Sequence, residues 1–220
     1  MTSRVDPRKF WGTPTWYVIH SLAYTLNPNQ CNQFATMMSL LTKIIVCGAC
    51  RNHLIQKFET IPPCPLTKVN NSKNAFKYTI ILHNLVNISK EYPTQPYDYS
   101  KAEKVYMSTH QNKLAYGLWR MLLSFAYQYK DMNNNNSDST HFKEFVKVVV
   151  SLIPRSQLKI NLSKFISASN FDKVPNEKLF EWVFRARELC GMTPKNTTLT
   201  SSLRYYGRFF KSGKCLKCEG

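Results

Sequence analysis

Apolar residues recur at helical spacing along almost the whole chain: Trp16, Ile19 and Ala23; Phe34, Met38, Leu41 and Ile45; Phe76, Ile80 and Val86. That spacing follows the 3.6-residue turn of a helix and not the two-residue alternation of a half-buried strand. No convincing alternating run occurs, so the sequence predicts an all-α fold. Breaks fall at Asn27-Pro28, at Ile61-Pro62-Pro63-Cys64-Pro65, at Tyr92-Pro93 and along the low-complexity run from Asn133 to Ser137, because such clusters interrupt helices. They mark off four helices before residue 92. From Leu189 onward, Gly191, Pro194, Gly207 and Gly213 lie among basic and aromatic residues and predict a mobile basic tail.

The helices come in two similar sets. Trp16 through Tyr24 (WYVIHSLAY) matches Trp119 through Tyr127 (WRMLLSFAY), with Leu123 in place of His20. The run from Phe34 through Cys47 to Phe58 resembles that from Phe145 to Phe165, with Pro154 at the position of Cys47 and Gln157 at that of Cys50. The helix containing His83 corresponds to Glu177–Leu189, which has no His-Asn pair. Any two amphipathic helices look alike, but the repeated order of three favours a duplication whose second copy kept its packing and lost its polar groups. The expected organisation is a bundle over 1–110, a degenerate bundle over 111–190 and a flexible tail over 191–220.

Thirty Lys and Arg against thirteen Asp and Glu leave 30 − 13 = +17. Such a charge suits acidic partners, nucleic acid among them, and equally serves solubility. The polar start, Met1 to Phe10, has no apolar stretch of the kind a secretory signal or membrane anchor needs, so a soluble chain without a cleaved leader is expected. Four of the seven cysteines form two C-x-x-C pairs, Cys47/Cys50 and Cys215/Cys218. In such a chain these pairs point to metal or redox chemistry more than to a disulfide framework. Cys31, Cys64 and Cys190 read as small buried hydrophobes.

Cys47-Gly48-Ala49-Cys50 follows an apolar helix and precedes a helical stretch from Arg51 to Phe58. A thiol at a helix N-terminus faces the positive end of the macrodipole, which favours the thiolate a dithiol/disulfide switch uses. Half of a zinc site looks the same, and Cys215/Cys218 or His53 with His83 could complete one. On neighbouring helices Trp16, His20 and Tyr24 share one face at i, i+4 and i+8, and His83 and Asn87 do so at i and i+4, with Asn84 beside them. Taken singly, each is ordinary core. Two such stripes flanking a C-x-x-C form a slot for a flat heteroaromatic ring with polar edges.

Trp11-Gly12 followed by Trp16 and His20, then Cys47-x-x-Cys50-x-x-His53, then His83-Asn84-Leu85-Val86-Asn87, closely resembles the Erv/ALR family of FAD-linked sulfhydryl oxidases. The resemblance covers roughly residues 10 to 107, including Tyr97-Asp98-Tyr99 where the family has Phe-Asp-Cys. It implies a four-helix bundle with a short fifth helix that holds FAD, and electrons passing from dithiol proteins to molecular oxygen, which becomes hydrogen peroxide. By the same resemblance, Cys50 is the thiol nearest the flavin and Cys47 the outer thiol that exchanges with substrate. Gly12, Trp16, His20, Tyr24 and His53 would contact the cofactor, with His83, Asn84, Val86, Asn87 and Lys90 at its adenine and ribose-phosphate parts. The family's structural disulfide would fall at Ile80 and Tyr99, so it is absent, and Tyr106 stands where a Trp packs on the cofactor.

Relatives often carry a second cysteine pair on a tail that relays electrons, and Cys215-Leu216-Lys217-Cys218 is similar to that shuttle. Family members pair through the first two helices of each bundle. A degenerate second bundle would occupy the partner's place within one chain, an intrachain pseudo-dimer that leaves further homodimerisation open. Similar small chains occur in large DNA viruses and in the mitochondrial intermembrane space; the degenerate half inclines the reading to a viral protein of the host cytoplasm or virion. The rival reading is a basic zinc-binding module that contacts nucleic acid, with the two C-x-x-C pairs as a split metal site.

Overall fold

The computed structural model describes residues 7–62, 71–88, 96–129, 139–211 and 214–215. Helices α1 (Pro7–Tyr24), α2 (Cys31–Ile44), α3 (Gly48–Thr60) and α4 (Ser72–Ile88) precede a long α5 (Tyr99–Tyr127). Then come α6 (Thr140–Leu152), α7 (Gln157–Ala168), α8 (Leu179–Leu189) and α9 (Leu199–Tyr206). The fold is all-α, as the spacing predicts. Among the described residues the only strands are a two-residue antiparallel pair, β1 (Phe210–Lys211) and β2 (Lys214–Cys215), with Phe210 opposite Cys215.

Burial follows the apolar stripes. In α2, Phe34, Met37, Met38, Leu41 and Ile44 are buried, a run at three- and four-residue steps. In α6, Val148, Val149 and Val150 are β-branched and favour strands, yet Phe142, Phe145, Val146 and Val149 form a helical stripe, and its burial outweighs local preference. Among the described residues no helix is long and apolar enough to cross a membrane.

The sequence expects a short fifth helix and a boundary at residues 110 and 111. Instead α5 runs unbroken for 29 residues through that point. Its start is fixed by Asp98, whose Oδ1 accepts the Lys101 N–H at 2.8 Å, an N-cap. Gly117, a poor helix former, is where α1 crosses: a Cβ there would lie 2.6 Å from the Pro14 carbonyl oxygen and 3.1 Å from Tyr17 Cβ.

The two sets of helices pack alike. α1 contacts α4, α2 contacts α3 and α3 contacts α4; correspondingly α5 contacts α8, α6 contacts α7 and α7 contacts α8. Between the sets, α1 lies on α5 and α2 on α6. A continuous cluster of buried residues runs through both, from Phe34 and Phe76 to Phe125, Phe145 and Phe180. Two side chains also tie the sets together at helix ends. Gln30 Nε2 donates to the Ser151 carbonyl at 2.9 Å, and Gln128 Nε2 donates to the Ile44 carbonyl at 3.0 Å, serving carbonyls that the last helical turn leaves unbonded.

Two expectations need correction. The loop after α6 is one residue longer than that after α2: Ile45 and Ile153 both leave their helices with extended backbone, but the N-cap of α7 is Ser156, with Lys159 at its third position. Ser156 and Lys159, not Pro154 and Gln157, therefore stand in the places of Cys47 and Cys50. The C-terminal stretch is also not a mobile tail up to Phe210. A capping box of Thr198 and Ser201 opens α9, Tyr206 and Phe210 are buried, and Phe10 stacks on Phe209 at 3.9 Å with 12° between the rings. Among the glycines and cations, Tyr206, Phe209 and Phe210 carry the apolar signal that fixes this segment.

Candidate functional site

The α2–α3 junction builds the sulfur pair. Cys47 and Cys50 form a disulfide with Cα atoms 5.2 Å apart. Cys47 is the N-cap of α3, and its Sγ accepts the Cys50 N–H at 3.1 Å. The sulfur thus takes the place of the oxygen that usually caps a helix, and on reduction a thiolate there sits at the positive end of the α3 dipole. Arg51 reaches back to the Lys43 carbonyl at 3.3 Å and pins the first turn of α3 to the end of α2. Cys47 is 1% exposed, whereas Cys50 is half-buried, so the sulfur read as the outer one is the more covered by protein.

A cluster of rings lies between α1, α4 and α5. Trp16 stacks on His83 at 4.1 Å and 9°, and His83 stacks on Tyr97 at 4.7 Å and 28°. Asn84 holds Tyr97 in that position, since its Nδ2 donates to the Tyr97 carbonyl at 3.0 Å and its Oδ1 accepts the Tyr97 N–H at 2.7 Å. Asn84 is therefore a positioning residue, with both ends of its amide used on backbone. Tyr106 is buried edge-on to His20, with centroids 5.5 Å apart.

Behind the stack runs an oriented chain of hydrogen bonds. The Thr79 hydroxyl donates to the Phe76 carbonyl at 2.8 Å, so its oxygen accepts from His20 Nδ1–H, also at 2.8 Å. His20 Nε2 is then left to accept from His83 Nδ1–H at 3.0 Å. Burial, followed by the charges of His83 and Lys113, holds the His20 pKa well below its ordinary value, consistent with a neutral ring.

Lys113, one turn of helix beyond His110, brings a cation to this cluster. Its Nζ lies 4.5 Å from the Tyr17 ring centroid and 5.0 Å from that of Tyr106, and burial lowers its pKa. Sequence reasoning missed Lys113 and Thr79. Both carried a spacing signal: Thr79 is four residues before His83, and Lys113 is seven after Tyr106. Where a disulfide would have joined Ile80 to Tyr99, Tyr99 instead packs on Phe76 of α4 at 5.9 Å.

The structure brings Trp16, His20, His83, Asn84 and Tyr97 together, with Tyr24 alongside through Phe76 and His110. Asn87 is buried on the same helix and Val86 half-buried. Gly12 has open space where a Cβ would be, and His53 is exposed on α3. Lys90 and Cys218 lie outside the described residues, and Cys215 is described only through its backbone. Among the described residues no three His, Cys, Asp or Glu side chains gather as metal ligands. Flat faces, polar ring edges and a nearby cation form a donor set that suits a planar heteroaromatic cofactor bearing phosphate.

Compared with known protein families, residues 13–107 match the Erv1 / Alr family. No curated protein and no solved structure gives a match.

Proposed function

We propose, on the premise that residues 13–107 belong to the Erv1/Alr family, that the chain is an FAD-linked thiol oxidase that forms disulfides in dithiol proteins. The carrying observation is the Cys47–Cys50 disulfide at the first turn of α3, the helix that packs against the α4 of His83 and Asn84. In the reaction a substrate thiolate attacks Cys47 Sγ, the Cys47–Cys50 bond breaks, and Cys50 leaves as a thiolate favoured by the α3 dipole. The second substrate thiolate then attacks the mixed disulfide and releases Cys47. The substrate loses two electrons and two protons, and the Cys47/Cys50 pair gains the electrons. FAD, held there, would supply the two-electron acceptor that returns Cys47 and Cys50 to the disulfide, with molecular oxygen as the final oxidant and hydrogen peroxide as the product.

The residues that would hold FAD are Gly12, Trp16, His20 and Tyr24 from α1, His53 from α3, and His83, Asn84, Val86, Asn87 and Lys90 from α4 and the segment after it. The Thr79–His20–His83 chain fixes which edge of His83 faces the ligand, and Asn84 acts through Tyr97. Because Cys47 is covered, exchange with a protein thiol requires the Ile45–Cys47 segment to move.

The packing of α1 on α5 and α2 on α6 supports the pseudo-dimer reading, in which the C-terminal half takes the place of a second subunit. Leu123, Ser156 and Lys159 at the places of His20, Cys47 and Cys50 support its being inactive in thiol oxidation. The test of the catalytic assignment is Cys50→Ser. The variant should keep its flavin and consume no oxygen with dithiothreitol; turnover close to the unaltered chain would refute the assignment.

A further inference from the structure

The thiol-oxidase reading makes no use of a cleft of about 770 Å³ in the C-terminal half, between α5, α8 and α9. Four arginines line it: Arg120 on α5, Arg187 on α8, Arg204 on α9 and Arg208 just beyond. No Asp or Glu is among the described lining residues. The ion pairs among the described residues, Lys147 with Asp172, Lys178 with Glu181 and Arg185 with Glu188, involve none of the four. Burial lowers the Arg187 pKa; Tyr206 opposes that shift and the Arg120 charge adds to it. Like charges converge here on a shared space, an arrangement that an anion would relieve. The guanidinium fork matches phosphate oxygens two at a time.

A second observation points the same way. The exposed rings of Tyr116 and Tyr205 flank the arginines; their hydroxyls accept from Arg120, that of Tyr205 at 2.9 Å. They offer flat faces beside the charge.

The cleft also has a counterpart. α5 packs on α8 as α1 packs on α4, and Trp119 stands in the repeat where Trp16 stands. Across α1 and α4, Trp16 meets His83; across α5 and α8, Trp119 and Arg187 line one space.

We propose that this cleft binds a nucleoside polyphosphate, its phosphates held by Arg120, Arg187, Arg204 and Arg208 and its base laid against Tyr116 or Tyr205. The volume lies within the range of roughly 300–1,000 Å³ typical of small-molecule sites and exceeds what phosphate alone would fill. The site is separate from the sulfur pair, and its occupancy is read without turnover.

Isothermal titration of the intact chain, with its flavin content measured alongside, would use ATP, inorganic triphosphate and an oligothymidylate as probes. One ATP should bind per chain, and triphosphate, lacking a ring, should bind at least roughly tenfold more weakly. Arg204 and Arg208 are exposed, so the double variant Arg204→Gln/Arg208→Gln should fold. It should lose roughly tenfold or more in ATP affinity with flavin content unchanged. Absence of ATP binding, or equal ATP affinity in the variant, would overturn the proposal. So would triphosphate as tight as ATP, which would mean a plain anion site, or oligothymidylate tighter than ATP, which would mean a nucleic-acid groove.

Discussion

At the scale of single residues, the buried imidazole of His20 gives the most direct handle on the site. Its pKa is held below the ordinary value of about 6.5, by burial first. Between that ordinary value and the lowered one, the unfolded chain binds a proton that the folded chain does not. The resulting stability is full above about pH 6.5 and is lost as the pH falls through this window. Leu123 occupies the matching place in the second half, so His20→Leu is a substitution the helix packing accommodates elsewhere in this chain. Urea midpoints measured at about pH 7.5 and about pH 5 should differ more for the unaltered chain than for the variant. An equal difference in the two proteins would show that His20 does not titrate as described. Much of the site was legible at this scale, because a stripe at i and i+4 is set by helix geometry alone: Trp16, His20, His83 and Asn87 are examples. The partners that depend on tertiary packing were not, which is why Tyr97 over His83 and Lys113 over Tyr106 emerge only in the folded chain.

At the scale of elements, α1 to α4 follow from apolar spacing and proline breaks, and the capping role of Cys47 from its place before Arg51–Phe58. The length of α5 was hidden because the family pattern ends near residue 107 while the helix continues on its own apolar run from Leu114 to Tyr127. That continuity rests on one close crossing, where Gly117 lets α5 approach the backbone of α1 at Pro14. Gly117→Ala would gain helix propensity in an isolated helix, yet here the added methyl meets the Pro14 carbonyl at 2.6 Å. Overpacking should dominate, lowering stability by about 1–3 kcal/mol. For a chain of this size each kcal/mol lowers Tm by roughly 2–4 °C. A thermal melt with an unchanged or raised Tm would mean that the two helices can separate at no cost.

At the scale of the whole molecule, similar halves share one core, and the chemistry is uneven between them. The N-terminal half carries the disulfide and the ring stack, and the C-terminal half carries an arginine-lined cleft. The second cysteine pair bears on how substrate reaches the first. β2 ties the backbone of Cys215 opposite the buried Phe210, so a relay through Cys215 and Cys218 would start from a strand anchored on the core. If the pair is a shuttle, replacing both with Ser should leave dithiothreitol oxidation unchanged and slow the oxidation of reduced protein substrates severalfold; equal rates with both substrates would remove it from the pathway. The central claim is that a flavin sits within electron-transfer reach of Cys47 and Cys50, and the absorbance spectrum of the purified chain tests it most directly. A band at about 450 nm, corresponding to one flavin per chain and bleached by dithiothreitol without air, is the predicted result. A colourless chain that takes up no FAD when it is supplied would contradict the account.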